Sequence, residues 1–412
     1  MHLLFKNPKF CALGMTLSIL VLGSVSFADA NDFSNWRSKP RESFPKGEAA
    51  FEKVKKTLLE KYIEKGLTEE DLYRAAVQGM VSNVDPAMAE WNKLMTPAEY
   101  SELQADIDGK IVGIGVEIDF NETTGYANVL GVIPGTPSAE SGIVRGDQIL
   151  KIDGENFRGK QLRDIVYAIR GKSGSEVKLT ILHDDKVLIK RLKREGLVWE
   201  TVNSKMVNRD TALLTIHSFV GSTPSLLEKN LRSLKSKGVK KLIVDLRGNE
   251  GGVFERTIES VNLLIPKDQL IVSVTTRDKP VEKIKSSAGP IIDDVSIAVL
   301  MNGATKSGAE IMAAALKTSA GATTIGTKTF GKWSAQKVDE LPNKYAIKYT
   351  TSTFVPASGV DLAGKGLPAD ITVELPEELI RKLQSQPSIE ERLKEDVQLQ
   401  AAINVLNLKA RG

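Results

Sequence analysis

The sequence predicts an α/β protein built in several parts, and three observations carry that reading. Residues 196–375 alternate short apolar runs with amphipathic helical stretches, residues 107–195 switch to glycine-punctuated β-rich runs, and the flanks 31–106 and 376–412 are charged with helical periodicity. At 412 residues, with 41% apolar and 26% charged residues, the chain can bury two or three cores and does not belong to the disordered class.

Residues 1–30 carry Lys6 and Lys9, an apolar run from 11 to 27, and small residues ending at Ala28-Asp29-Ala30, which reads as a cleaved secretory signal. Gly14 and Gly23 interrupt the run, and it is short for a membrane span. The expectation is an exported, bacterial periplasmic protein with no stable membrane anchor after cleavage. The formal charge of +4 falls to +3 once two Lys and one Asp leave with the signal, and gives no reason to expect a nucleic-acid partner. The single cysteine, Cys11, leaves as well, which removes disulfides, cysteine peptidases and thiolate zinc sites.

From residue 47 to about 106 the pattern is helical, with Phe51, Val54, Leu58 and Tyr62 on one face and Thr96-Pro97-Ala98-Glu99 reading as a capping box. The small domain, 107–195, holds one short helix near 160–170. In 196–375 the strands are Leu242-Ile243-Val244 and 297–301, and the helices 224–236, 255–264 and 308–317, the first with Thr223 as N-cap before Pro224. Past residue 376, Ser388-Ile389-Glu390-Glu391 offers another capping box ahead of Leu393, Val397 and Leu406.

The chemistry narrows by elimination. Of three histidines, His2 leaves with the signal, and His183 and His217 lie in β-patterned runs where a structural role is the commoner one. G-x-S-x-G and H-E-x-x-H are both absent. The segment from Gly326 to Lys332 has P-loop spacing, but Trp333 stands where Ser or Thr must hold magnesium, so a nucleotide-dependent enzyme is the weaker rival. What remains is a hydroxyl activated by a desolvated lysine. Ser307 follows an apolar strand and opens a helix, where free N–H groups favour a developing oxyanion. Taken alone, such a serine is more often a plain N-cap.

Seven fragments in order change that balance: Gly79-Met80-Val81-Ser82-Asn83-Val84-Asp85-Pro86, Gly113-Ile114-Gly115-Val116, Arg145-Gly146-Asp147, Ile169-Arg170-Gly171, the stretch Asp245-Leu246-Arg247-Gly248-Asn249-Glu250-Gly251-Gly252, Ser307-Gly308-Ala309-Glu310-Ile311, and Thr329-Phe330-Gly331-Lys332. As a set the chain resembles the carboxyl-terminal processing peptidases, or tail-specific proteases, from about residue 68 to 374. The resemblance implies a ClpP/crotonase-like catalytic domain over 196–375 with an inserted PDZ domain over 107–195 and helical N- and C-terminal arms. It implies Ser307 as nucleophile, Lys332 as general base and Gln336 as the residue orienting the amine. Gly251 or Gly252 with Gly308 would form the oxyanion hole.

The same resemblance makes Gly113, Ile114, Gly115 and Val116 the loop that receives a substrate's terminal carboxylate, with Leu162, Ile165, Val166 and Ile169 on one helix face beside it. Arg170 would couple that site to catalysis. Protein or peptide substrates with apolar free C-termini are expected, with no metal or cofactor, and two copies pairing through the helical arms. The chain departs from the family at Gly248, Glu250, Lys306 and Trp333. A catalytically inactive PDZ scaffold or chaperone-like binder is the main alternative.

Overall fold

The computed structural model describes residues 43–85, 91–198, 200–376, 379 and 388–409. The signal-like residues 1–30 and Pro86 of the first family fragment lie outside the described residues.

The chain enters through α1 (Gly47–Lys61) and α2 (Glu69–Asn83), the latter opened by a reciprocal capping box between Thr68 and Asp71. Phe51, Val54 and Leu58 share α1, whereas Tyr62 is already its extended C-cap, and neither helix buries a single residue completely. Next come β1 (Lys93–Met95) and α3 (Pro97–Asp108), whose capping box joins Thr96 and Glu99. Gly109 ends α3 at φ +71°, a left-handed turn that glycine adopts without a Cβ clash.

Strand β2 (Lys110–Gly113) leads into the small domain of β3 (Val116–Asn121), β4 (Tyr126–Val132), the one-turn α4 (Pro137–Glu140), β5 (Gln148–Ile152), β6 (Glu155–Asn156), α5 (Leu162–Ile169), β7 (Glu176–His183) and β8 (Lys186–Lys193). Its antiparallel sheet runs β3-β4-β5-β7-β8, with β6 beside β5. Ile114, Ile149, Ile165, Leu179 and Ile181 fill its core. The exit strand β9 (Glu195–Val198) pairs antiparallel with β2, so entry and exit form one ribbon.

The remaining domain contains β10 (Val202–Met206), β11 (Thr211–Ile216), α6 (Thr223–Ser236), β12 (Lys241–Asp245), α7 (Phe254–Asn262), β13 (Leu270–Thr276), β14 (Glu282–Lys285), β15 (Ser296–Met301), α8 (Gly308–Ser319), β16 (Thr323–Gly326), β17 (Ser334–Glu340), β18 (Ala346–Pro356) and β19 (Ile371–Thr372). One sheet has the order β10-β11-β12-β15-β16-β19, parallel from β11 onward. The other runs β1-β18-β13-β14, with β17 on β18. Helix α6 starts at Thr223, one residue earlier than its sequence suggests, and the Thr223 hydroxyl accepts Val220 N–H and donates to the Ser218 carbonyl.

Strands β12 and β15 are nearly continuous apolar runs because both faces of their sheet are covered. Leu242, Val244, Ile297 and Val299 join the core that holds α6, α7 and α8. Ile243, Ala298 and Leu300 face the other way, onto Leu399, Ala402 and Leu406 of α10 (Val397–Lys409), which follows α9 (Ile389–Glu395). The C-terminal helices thus close the second face of the sheet instead of projecting from it.

Candidate active site

Two parallel neighbours, β12 and β15, end side by side, and the turns that follow them are stitched together. Thr305 Oγ1 donates to the Leu246 carbonyl at 2.9 Å, Asn302 Oδ1 accepts from Gly248 N–H at 3.2 Å, and Lys306 N–H donates to the Asn249 carbonyl at 2.9 Å. Ser307 comes directly after this knot, at φ +52° and ψ −118°. A non-glycine residue held there stores about 1–3 kcal/mol of backbone strain, which the surrounding bonds must sustain.

Gly251 approaches that serine so closely that an added Cβ would lie 2.9 Å from Ser307 Cβ and from the Gly308 nitrogen. Its φ of +95° also demands glycine. The Gly251 N–H, however, is held by Asn249 Oδ1 at 2.8 Å, while Asn249 Nδ2 donates to the Ile216 carbonyl at 2.9 Å. Gly251 therefore leaves the set of free donors and serves close packing. Beside it, Phe219 bridges to the glycine pair through Phe219 N–H to the Gly251 carbonyl and Val253 N–H to the Phe219 carbonyl, and neither bond uses the Gly252 N–H. Gly308 opens α8, where first-turn N–H groups have no intrahelical partner. A Cβ on Gly308 would meet Thr257 Oγ1 at 2.4 Å.

The main chain of Lys332 is held beside that of Ser307 by one carboxylate. Glu310, fully buried on the first turn of α8, accepts Ser307 N–H at 3.0 Å and Lys332 N–H at 2.8 Å on Oε2. Its Oε1 accepts Gly331 N–H at 2.8 Å and the Thr329 hydroxyl at 2.5 Å. Burial pushes the Glu310 carboxyl upward, and the four donated hydrogen bonds oppose that shift in part. Lys332 Nζ lies 3.8 Å from the centroid of the Trp91 ring. Trp333, next in the chain, is a core residue at 2% exposure, so this departure from the family fills the interior.

Gln336 sits on β17, and its Nε2 donates to Ser334 Oγ at 3.1 Å and Thr350 Oγ1 at 3.2 Å. The Lys306 ammonium pairs with Glu250 at 2.9 Å and lies 4.8 Å above the Phe330 ring, so two of the family departures meet each other beside the serine.

In the small domain, Ile114 is a core residue, its carbonyl accepting Ser138 N–H at 2.9 Å, and Gly115 at φ +85° packs where a Cβ would strike Thr136. Gly113 and Val116 are the residues where β2 ends and β3 begins. On α5, Ile165 and Ile169 are core, whereas Leu162 and Val166 are half-buried and stay outside the core cluster. Arg170 reaches off the domain to Asp106 of α3 at 2.9 Å. Of the histidines, His183 Nδ1 pairs with the buried Asp147 at 2.6 Å, and burial disfavours the imidazolium of His217, which faces Asn203.

Sequence reasoning assigned no role to Glu310, Asn249 or Trp91. Glu310 carried a usable signal, since Ser307-Gly308-Ala309-Glu310 has the serine-to-glutamate spacing of a capping box. Asn249 and Trp91 act across the fold and had none.

The comparisons agree with this architecture. A model of peptidase family S41 matches residues 210–373, and a PDZ domain model matches residues 129–182. The carboxy-terminal processing protease CtpA of Bacillus subtilis (strain 168) is 31% identical over 363 residues, 88% of this chain and 74% of that protein. A CtpA-like protein of Staphylococcus saprophyticus subsp. saprophyticus is 28% identical over 374 residues, 90% of this chain and 74% of its own length. A crystal structure of an S41-type protein from Bacteroides fragilis NCTC 9343 covers 90% of this chain and 99% of that one at TM-score 0.55 and 18% identity, which shows a shared fold. On that relationship the chain belongs to peptidase family S41, as a carboxy-terminal processing serine protease that carries a PDZ domain.

Proposed function

We propose that the chain is an exported endopeptidase cleaving proteins near apolar free C-termini, with Ser307 as nucleophile, Lys332 as general base and Gln336 orienting the amine. The observation that carries the reading is the Glu310 carboxylate, whose single oxygen Oε2 takes the main-chain N–H of both Ser307 and Lys332. Segments twenty-five positions apart in sequence are thereby fixed to a common atom.

In the proposed reaction the neutral Lys332 amine takes the Ser307 hydroxyl proton as Oγ bonds to the peptide carbonyl carbon. Negative charge moves to the carbonyl oxygen, where Gly308 N–H and Gly252 N–H stabilise it. Collapse breaks the C–N bond, the lysine returns the proton to the leaving amine, and an acyl-serine remains. Water then repeats the sequence and releases the acid. The strained Ser307 backbone keeps the nucleophile at the mouth of α8, where the helix dipole favours the same charge.

The PDZ domain, assigned to 107–195 between the helical segment and the 196–375 catalytic domain, would take the substrate's carboxylate on the Gly113–Val116 loop while the chain adds along β3. Leu162 and Val166 supply the apolar wall. The Arg170–Asp106 pair ties that wall to α3 and thus to the body of the protease. Residues 1–30 would direct export to the periplasm, and pairing of two copies would use the open N-terminal helices.

The test is cleavage of a peptide with an apolar free C-terminus, with binding measured in parallel. Ser307→Ala and Lys332→Ala should each reduce cleavage at least about a thousandfold while leaving peptide affinity unchanged. A wild type that binds the peptide and never cuts any exported protein would instead support the inactive-scaffold reading.

A further inference from the structure

One side chain at the reactive end of Lys332 plays no part in the mechanism above. Trp91 places its indole face 3.8 Å from Lys332 Nζ. An aromatic face attracts a cation through its quadrupole and offers a neutral amine much less. The ring therefore favours the ammonium form, which cannot accept a proton.

Trp91 is built into this position. The next residue, Asn92, is 2% exposed and accepts Thr350 N–H at 2.8 Å, and β1 then pairs with β18. The Thr350 hydroxyl in turn accepts from Gln336. On its other side Trp91 meets Phe330 edge-to-face, with centroids 6.3 Å apart and planes at 88°. Phe330 carries the second ammonium, that of Lys306. The two rings thus meet edge-to-face, and each carries one lysine ammonium.

We propose that Trp91 is a positioning residue that restrains the base: its indole holds Lys332 as an ammonium in the resting enzyme, and turnover proceeds with the ring moved off the amine. The proposal rests on Lys332 serving as general base. Among the described residues, charged groups near that lysine include Glu310, on its main-chain N–H from α8, and Lys306 with its partner Glu250 across Phe330. The neutral Gln336 and Thr350 side chains bond each other on β17 and β18.

The test is kcat/KM against pH for the full chain, with a peptide substrate, in the wild type and in Trp91→Phe, Trp91→Leu and Lys332→Ala. Removing the ring in Trp91→Leu should move the acid limb to lower pH by about half a unit to one and a half units, raising the rate on that limb roughly three- to thirtyfold. Trp91→Phe, which keeps an aromatic face with a weaker quadrupole and conserves the packing, should fall between the two. A residue that only fills space would not order the limbs this way. Limbs that superimpose in both Trp91 variants, with Lys332→Ala inactive, overturn the restraint and leave the base assignment standing. Full activity in Lys332→Ala overturns the base assignment and the restraint with it.

Discussion

The two helical flanks look alike in sequence and end up in opposite environments. In the N-terminal pair, α1 and α2 bury nothing completely, and Val54 and Met80 are 57% and 66% exposed. In the C-terminal pair, Leu399, Ala402 and Leu406 are 0% exposed under the parallel sheet. Periodicity forecasts that a helix has an apolar stripe and is silent on what covers it. What distinguishes the flanks is charge placement. The C-terminal pair brings Arg392, Asp396 and Gln398 to the end of β12, where Asp245 and Arg247 wait.

Arg247 binds Asp245 at 2.7 Å and Asp396 at 2.8 Å, Arg392 binds Asp245 at 2.6 Å, and Gln398 Oε1 accepts from Arg247 at 2.9 Å. This buried network sits immediately before the Gly248–Gly252 turn that packs on Ser307. The largest effect separating the flanks is therefore expected from Asp396→Ala, which leaves two guanidinium groups short of a carboxylate in the interior. Denaturant unfolding should register a loss of about 3–5 kcal/mol. A loss below about 1 kcal/mol would show that the C-terminal helices are held by Leu399 and Leu406 alone, without the ionic contribution.

A smaller effect follows from pH. The Arg247 and Arg392 guanidinium groups beside Asp245 hold its carboxyl well below the ordinary carboxylate range, outweighing burial, which acts the other way. A carboxyl depressed in the folded state contributes stability above its unfolded value, near pH 4. That contribution drains away as pH falls towards the folded value. Unfolding free energy should thus drop below about pH 4 by on the order of 2 kcal/mol in the wild type. Asp245→Asn, less stable at neutral pH, should show a flatter acid limb, and parallel curves for the two proteins would refute the assignment. Glu310 has the opposite sign, since its raised carboxyl makes the folded state take up a proton first as pH falls.

How much of this was legible beforehand depends on the range of the interaction. The strand-turn-helix around Ser307, the glycine pair and the apolar strands of the parallel sheet could be read from local patterns, because each is set by neighbours in the chain. The helix face of α5 was legible as a stripe, while its division into core Ile165 and Ile169 and half-buried Leu162 and Val166 was not, since it depends on where the sheet lies. Other contacts in and beside the site are long-range: Trp91 over Lys332, Asn249 to Ile216, and Arg247 to Asp396. No periodicity marks a partner so distant in sequence. The Gly251 N–H shows a different limit: Asn249 is only two residues away, yet its capture of that N–H depends on one turn's geometry.

The smallest effect tests the other side of the comparison. The α1–α2 pair is held at its surface by Lys55, which reaches Glu69 at 2.6 Å and Glu52 at 3.0 Å, and by Phe51 stacked on Tyr73 at 6.4 Å. Val54 is 57% exposed, so Val54→Ser removes little surface from a buried environment. Its effect on unfolding free energy should stay within about 0.5 kcal/mol, the ordinary range for exposed positions. A loss above about 1.5 kcal/mol would mean that the face is covered in solution. Since a covering copy binds the folded chain by mass action, such a loss would shrink on dilution if a second copy were the cover. A concentration-independent loss would place the cover within the chain itself, and the contrast between the two flanks would then be one of partner and not of burial.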